Sequence, residues 1–83
     1  MSQPLRYLNI KNSDFKKLTN LFLDGKAYVY CNANNDICFG IEEDRKYYPK
    51  GALNDTYIIL TEEYSCNIVV ENNKIVMMSI ARG

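Results

Sequence analysis

Asn67-Ile68-Val69-Val70-Glu71-Asn72-Asn73-Lys74-Ile75-Val76-Met77-Met78-Ser79-Ile80 decides the fold class of this chain. Two runs rich in β-branched and apolar residues flank an Asn-Asn pair, the residue type that accepts the positive φ of a two-residue hairpin turn. The reading places Glu71 opposite Lys74, Val70 opposite Ile75 and Ile68 opposite Met77, with unlike charges beside the turn fixing the register. The second run is apolar on both of its faces. It is therefore expected inside the sheet, covered by a helix on one side and by loops or a partner on the other.

Upstream, Thr56-Tyr57-Ile58-Ile59-Leu60-Thr61 has the composition of a strand. Ala27-Tyr28-Val29-Tyr30-Cys31 and Ile37-Cys38-Phe39-Gly40-Ile41 form a second hairpin about an Asn- and Asp-rich segment. If Asn34-Asn35 is its two-residue turn, Tyr30 faces Phe39, Tyr28 faces Ile41 and Cys31 faces Cys38, a pair within reach of a disulfide. Arg45 to Tyr48 reads as a further short strand, Pro49 to Asp55 as the longest loop, and Leu5 to Ile10 as a weak N-terminal strand.

Only one segment carries helical spacing. Phe15, Leu18 and Phe22 recur at i, i+3 and i+7, Leu21 and Leu23 widen the stripe, and Lys16, Lys17 and Asn20 face away. Asn12 or Ser13 is the expected N-cap, and Asp24-Gly25 the stop. The expected fold is a single α+β domain over residues 1–83: one N-terminal helix on a curved antiparallel sheet of about five strands. Its core should join Phe15, Leu18 and Phe22 to Tyr30, Phe39, Ile59, Ile68 and Met77.

With 83 residues the chain supports one core. Ten basic and ten acidic residues cancel, which removes the electrostatic footprint of a duplex-DNA or anionic-membrane binder. No apolar run approaches the roughly 20 residues of a transmembrane helix. The first residues lack the pattern of a secretory signal, so the expected location is cytoplasmic. Residues with A/T-rich codons (ten Asn, eight Ile, seven Tyr, seven Lys) outnumber the G/C-rich set (four Gly, four Ala, three Arg, two Pro), which points to a low-GC bacterium or one of its phages.

The complete lack of His removes imidazole acid-base relays and most transition-metal sites. Three Cys without a CxxC spacing fall short of a four-thiolate zinc site and read as free, mostly buried thiols. No phosphate loop or nucleophile motif occurs, and no metal or other cofactor is expected. The expectation is a small non-enzymatic protein that binds and inhibits a larger one, in bacterial or phage conflict: an immunity protein, an antitoxin or a phage-encoded inhibitor of a nuclease defence.

The candidate contacts are Glu42, Glu43, Asp44, Tyr48, Lys50, Leu53, Glu62, Glu63 and Tyr64. The carboxylates would face a basic, nucleic-acid-binding surface of the partner, and Lys50 and Leu53 would reach it from the long loop. The alternative from another class is a single-stranded nucleic-acid module using Tyr47, Tyr48, Arg45, Lys46 and Lys50. A third is a structural subunit of an assembly.

Overall fold

The computed structural model describes residues 6–82. Arg6–Asn9 (β1) precedes the helix Asn12–Leu23 (α1); Tyr28–Cys31 (β2) and Ile37–Gly40 (β3) follow. A 3-10 helix spans Glu42–Tyr47, and Asp55–Leu60 (β4), Tyr64–Glu71 (β5) and Lys74–Arg82 (β6) complete the order. The fold is α+β, with one curled six-stranded sheet ordered β1-β4-β5-β6-β2-β3. The sheet is mixed rather than wholly antiparallel. β1 pairs in parallel with β4, the two being separated along the chain by α1, the β2–β3 hairpin and the 3-10 helix, and Leu5, expected in that strand, lies outside the described residues.

α1 buries Phe15 and Leu18 against Ala27, Val29, Tyr57, Ile59, Cys66, Ile68, Val70 and Ile75. Removing such side chains typically costs 2–5 kcal/mol each. Phe22, assigned to this core from the helical spacing, is only partly buried at its margin. The helix starts one residue before the expected caps: Lys11 is the N-cap, without a side-chain hydrogen bond, so Asn12 and Ser13 lie inside the first turn. Its end follows the sequence. Gly25 takes φ +71°, donating to the Phe22 carbonyl at 2.9 Å, while Lys26 N–H reaches Leu21 O at 2.8 Å; these two bonds close a Schellman motif.

The β5–β6 hairpin turns at Asn72 (φ 52°) and Asn73 (φ 72°), with Glu71 opposite Lys74 and Val70 opposite Ile75 as expected. A bulge then shifts the pairing, so Ile68 faces Met78 and Val69 faces Met77. The extra residue moves Met77 off the helix side. Met77 is 56% exposed and does not join the core assigned to it.

The β2–β3 register differs from the sequence reading by one residue. Tyr28 pairs with Gly40, Val29 with Phe39, Tyr30 with Cys38 and Cys31 with Ile37. The connection is not a two-residue turn: Asn32 N–H donates to Asp36 O at 3.0 Å, Asn32 Oδ1 accepts from the N–H of Asn34 (3.0 Å) and Asp36 (2.9 Å), and only Asn35 has positive φ there. One residue of slip reverses every facing pair. Val29 and Phe39 therefore face α1, whereas Tyr30 points to the opposite side, and Cys31 is not across from Cys38. All three thiols, Cys31, Cys38 and Cys66, are free.

Arg45 to Tyr48, expected as a strand, lies in and just after the 3-10 helix. Asp44 N–H donates to Ile41 O and Tyr48 N–H to Arg45 O, both at 3.0 Å, and the Asp44 carboxylate accepts from Ile41 N–H at 3.0 Å. That carboxylate sits directly over Gly40, where a Cβ would collide with it. The following loop ends at Asn54 and is held at three points. Cys31 bridges to Lys50, Leu53 O accepts from Asn73 N–H at 3.0 Å, and Asn54 Oδ1 accepts from Asn72 N–H at 2.9 Å. No helix among the described residues is long and apolar enough to cross a membrane.

Candidate protein-binding site

On the face of β2 turned away from α1, three tyrosine rings stack in series. Tyr28 lies on Tyr30 at 6.1 Å between centroids and 5° between planes, and Tyr30 on Tyr48 at 6.0 Å and 19°. The spacing follows from the strand period, since Tyr28 and Tyr30 are two residues apart on one face, while the 3-10 helix returns Tyr48 over them. Tyr30 is 1% exposed, and its hydroxyl donates to Ile41 O at 3.1 Å. Burial first, then the neighbouring Tyr28, Glu42 and Asp44, push its pKa up from 10.0 to about 12, against a smaller opposing pull from Arg45. This ring is a structural pillar. Tyr28, at the end of the stack, remains partly accessible.

Beside Tyr28 the chain leaves a cleft of about 480 Å³ between the 3-10 helix and the Asn72-Asn73 turn. Tyr28 contributes the aromatic wall, Glu42 and Arg45 come from the 3-10 helix, and Glu71 and Lys74 from the hairpin ends. Two carboxylates and two cations thus line one cleft with Tyr28. The register explains the convergence: Tyr28 pairs with Lys74, and Lys74 with Glu71, so all three share a sheet face.

The residues expected to bind a partner divide among different places. Glu42 and Glu43 are exposed on the 3-10 helix. Asp44 is committed to Ile41, and Tyr48 to the ring stack. Glu62 and Glu63 are exposed in the β4–β5 turn, which Thr61 organises by accepting from the N–H of Tyr64 at 2.9 Å. That turn lies at the opposite end of β5 from the cleft, about 23 Å away for seven residue steps, so the two acidic groups form two surfaces. Tyr64 stacks on Phe15 at 5.3 Å, and Leu53 packs against the buried cluster; both serve the fold. Lys50 is exposed.

Of the basic-aromatic group, Tyr47 is 65% exposed with Lys46 Nζ over its ring at 5.1 Å. Tyr48 is turned inward. Sequence reasoning missed Tyr28, Glu71 and Lys74 as site residues. The Glu71–Lys74 pairing was visible in the hairpin, but its meeting with the 3-10 helix depends on β2 joining the far side of β6. Among the described residues no group of His, Cys, Asp and Glu could hold a metal ion. Burial raises the pKa of the Cys66 thiol, and burial followed by Asp36 and Cys31 raises that of Cys38, which lowers the reactivity of both. Comparison with models of protein families, with curated proteins and with solved structures finds no match.

Proposed function

We propose that this is a non-enzymatic protein that binds a larger protein at the cleft beside Tyr28, taking a basic side chain of the partner onto the exposed tyrosine face. The observation that supports this is that Glu42 and Glu71 line the same cleft as the partly accessible Tyr28. A guanidinium there gains both cation-π attraction and charge-assisted hydrogen bonds. Arg45 and Lys74 add an opposite pole, so the recognised segment carries an acidic side chain next to the basic one. The mode of action proposed is occlusion of a basic functional surface in the cytoplasm, as an immunity protein, antitoxin or phage-encoded inhibitor would act; three free thiols fit a reducing compartment.

Affinity capture from a low-GC bacterial lysate tests it with two charge-reversal pairs. Glu42→Lys with Glu43→Lys should lose the captured partner, while Glu62→Lys with Glu63→Lys, at the far end of the sheet, should retain it. A partner kept by the first variant refutes the reading. Salt-sensitive binding of a fluorescent single strand, lost on replacing Tyr47 and Lys46, would instead establish the nucleic-acid alternative.

A further inference from the structure

Two of the three sheet edges are short: β1 and β3 have four residues each. The third is not. β6 runs from Lys74 to Arg82, yet its side facing away from β5 meets β2 at a single pair, Tyr28 with Lys74. Ile75 N–H reaches Ala27 O at 2.9 Å; beyond it, among the described residues, no backbone bond reaches that edge. From Val76 onward, every second residue therefore turns an N–H and a C=O outward. Val76, Met77 and Ile80 are 46%, 56% and 50% exposed, and no charged residue or proline lies between Ile75 and Ala81. Natural proteins ordinarily blunt such an edge with charge, proline or brevity. Among the described residues the only such device is the bulge, and it sits at the hairpin end of the strand.

We propose that a second copy of this chain occupies this edge, with the two β6 strands pairing antiparallel about a two-fold axis at Ser79. Directly opposed residues in an antiparallel pair share a face, so a two-fold axis normal to the sheet requires opposed residue numbers with an even sum. A sum of 156 sets residue 82 against Lys74, already paired to Tyr28. A sum of 158 uses the whole free segment: 76 faces 82, Met77 faces Ala81, Met78 faces Ile80 and Ser79 faces its own copy. On the open face this register matches large with small. The exposed Met77 meets Ala81 twice on the open face, and Met78 meets Ile80 twice on the helix side. The dimer sheet then continues β1-β4-β5-β6 into the same strands of the second copy in reverse order.

Sedimentation velocity across micromolar to submillimolar concentrations should show a monomer–dimer equilibrium. Ser79→Lys and Ser79→Glu each set like charges face to face at the axis and should weaken self-association by about fivefold or more. An equimolar mixture of the two should dimerise at least as tightly as the unmodified chain, which also shows that both variants fold. Ser79→Cys should form a covalent dimer under mild oxidation faster than Met77→Cys. A wild-type chain that stays monomeric throughout overturns the proposal, as does self-association unaffected by Ser79→Lys.

Discussion

The two hairpins make the same turn chemistry do different work. In β5–β6, Asn73 is 5% exposed and holds three segments together: its N–H reaches Leu53 O, its carbonyl accepts from Val29 N–H at 2.7 Å, and its side-chain amide donates to Val29 O at 2.8 Å. In β2–β3, Asn35 has a similar φ of 66° but is exposed, in a loop that satisfies itself through Asn32. A turn's residue types thus specify its local conformation, while its worth to the fold depends on what the rest of the chain brings against it.

The largest expected difference lies in the strands. Ile68, fully buried at the centre of β5, should lose about 4 kcal/mol on truncation to Ala, and the half-buried Ile37 of β3 roughly 1–2 kcal/mol. Denaturant titration of both variants checks the order. Equal losses would mean that the two hairpins share one core equally. The turns come next. Asn73→Ala replaces a residue that tolerates the left-handed backbone position with one that does so less well, a fraction of about 1–2 kcal/mol, and loses the bond to the Val29 carbonyl, about 1 kcal/mol or more. A destabilisation of roughly 2 kcal/mol is expected, and Asn73→Gly should recover the backbone part alone.

These pairs also mark what the sequence could and could not carry. The Asn72-Asn73 turn, the stripe Phe15 and Leu18, and the stop at Gly25 were legible because each rests on neighbours within a few residues. The bulge beyond Val70 was not, since Val76 looks like any other residue of an apolar run, and it moved Met77 to the outside. The β2–β3 register failed for a related reason. Asn32 through Asp36 offers several turn choices of similar chemistry, and Asn32 makes the longer one through its own side chain. At the candidate site, Glu42 and Glu43 were visible as exposed acids, but Tyr28 was read only as a hairpin residue facing Ile41, and its meeting with Glu71 and Lys74 is a long-range outcome of strand order.

A smaller effect distinguishes the far side of β2. The Tyr30 hydroxyl is held neutral in the fold, with its pKa raised from 10.0 to about 12. Between these values the unfolded chain releases the proton and the folded chain retains it, so stability from this group is intact below about pH 10 and declines as pH rises towards 12. Tyr30→Phe should lower stability near neutral pH by about 1 kcal/mol, through the lost bond to Ile41. Its stability should then decline less steeply than that of the unmodified protein across the alkaline interval. Parallel declines in denaturant titrations at successive pH values would contradict the buried position of this ring.

The smallest effect belongs to Asn35. Its backbone lies where glycine is at ease, its side chain is exposed, and its N–H donates to Asn32 O at 3.0 Å whatever the side chain is. Asn35→Gly relieves the small cost of positive φ and adds a similar entropy cost in the unfolded chain, so the thermal midpoint should move by no more than the equivalent of a few tenths of a kcal/mol. Asn32→Ala has a larger consequence, although Asn32 has ordinary φ, because its Oδ1 accepts two N–H groups that no other atom of the loop reaches. Loss of about 1 kcal/mol is expected. If Asn35→Gly proved the more costly of the two, the loop would be held by its left-handed residue rather than by the Asn32 side chain, and the contrast between the hairpins would rest on backbone conformation after all.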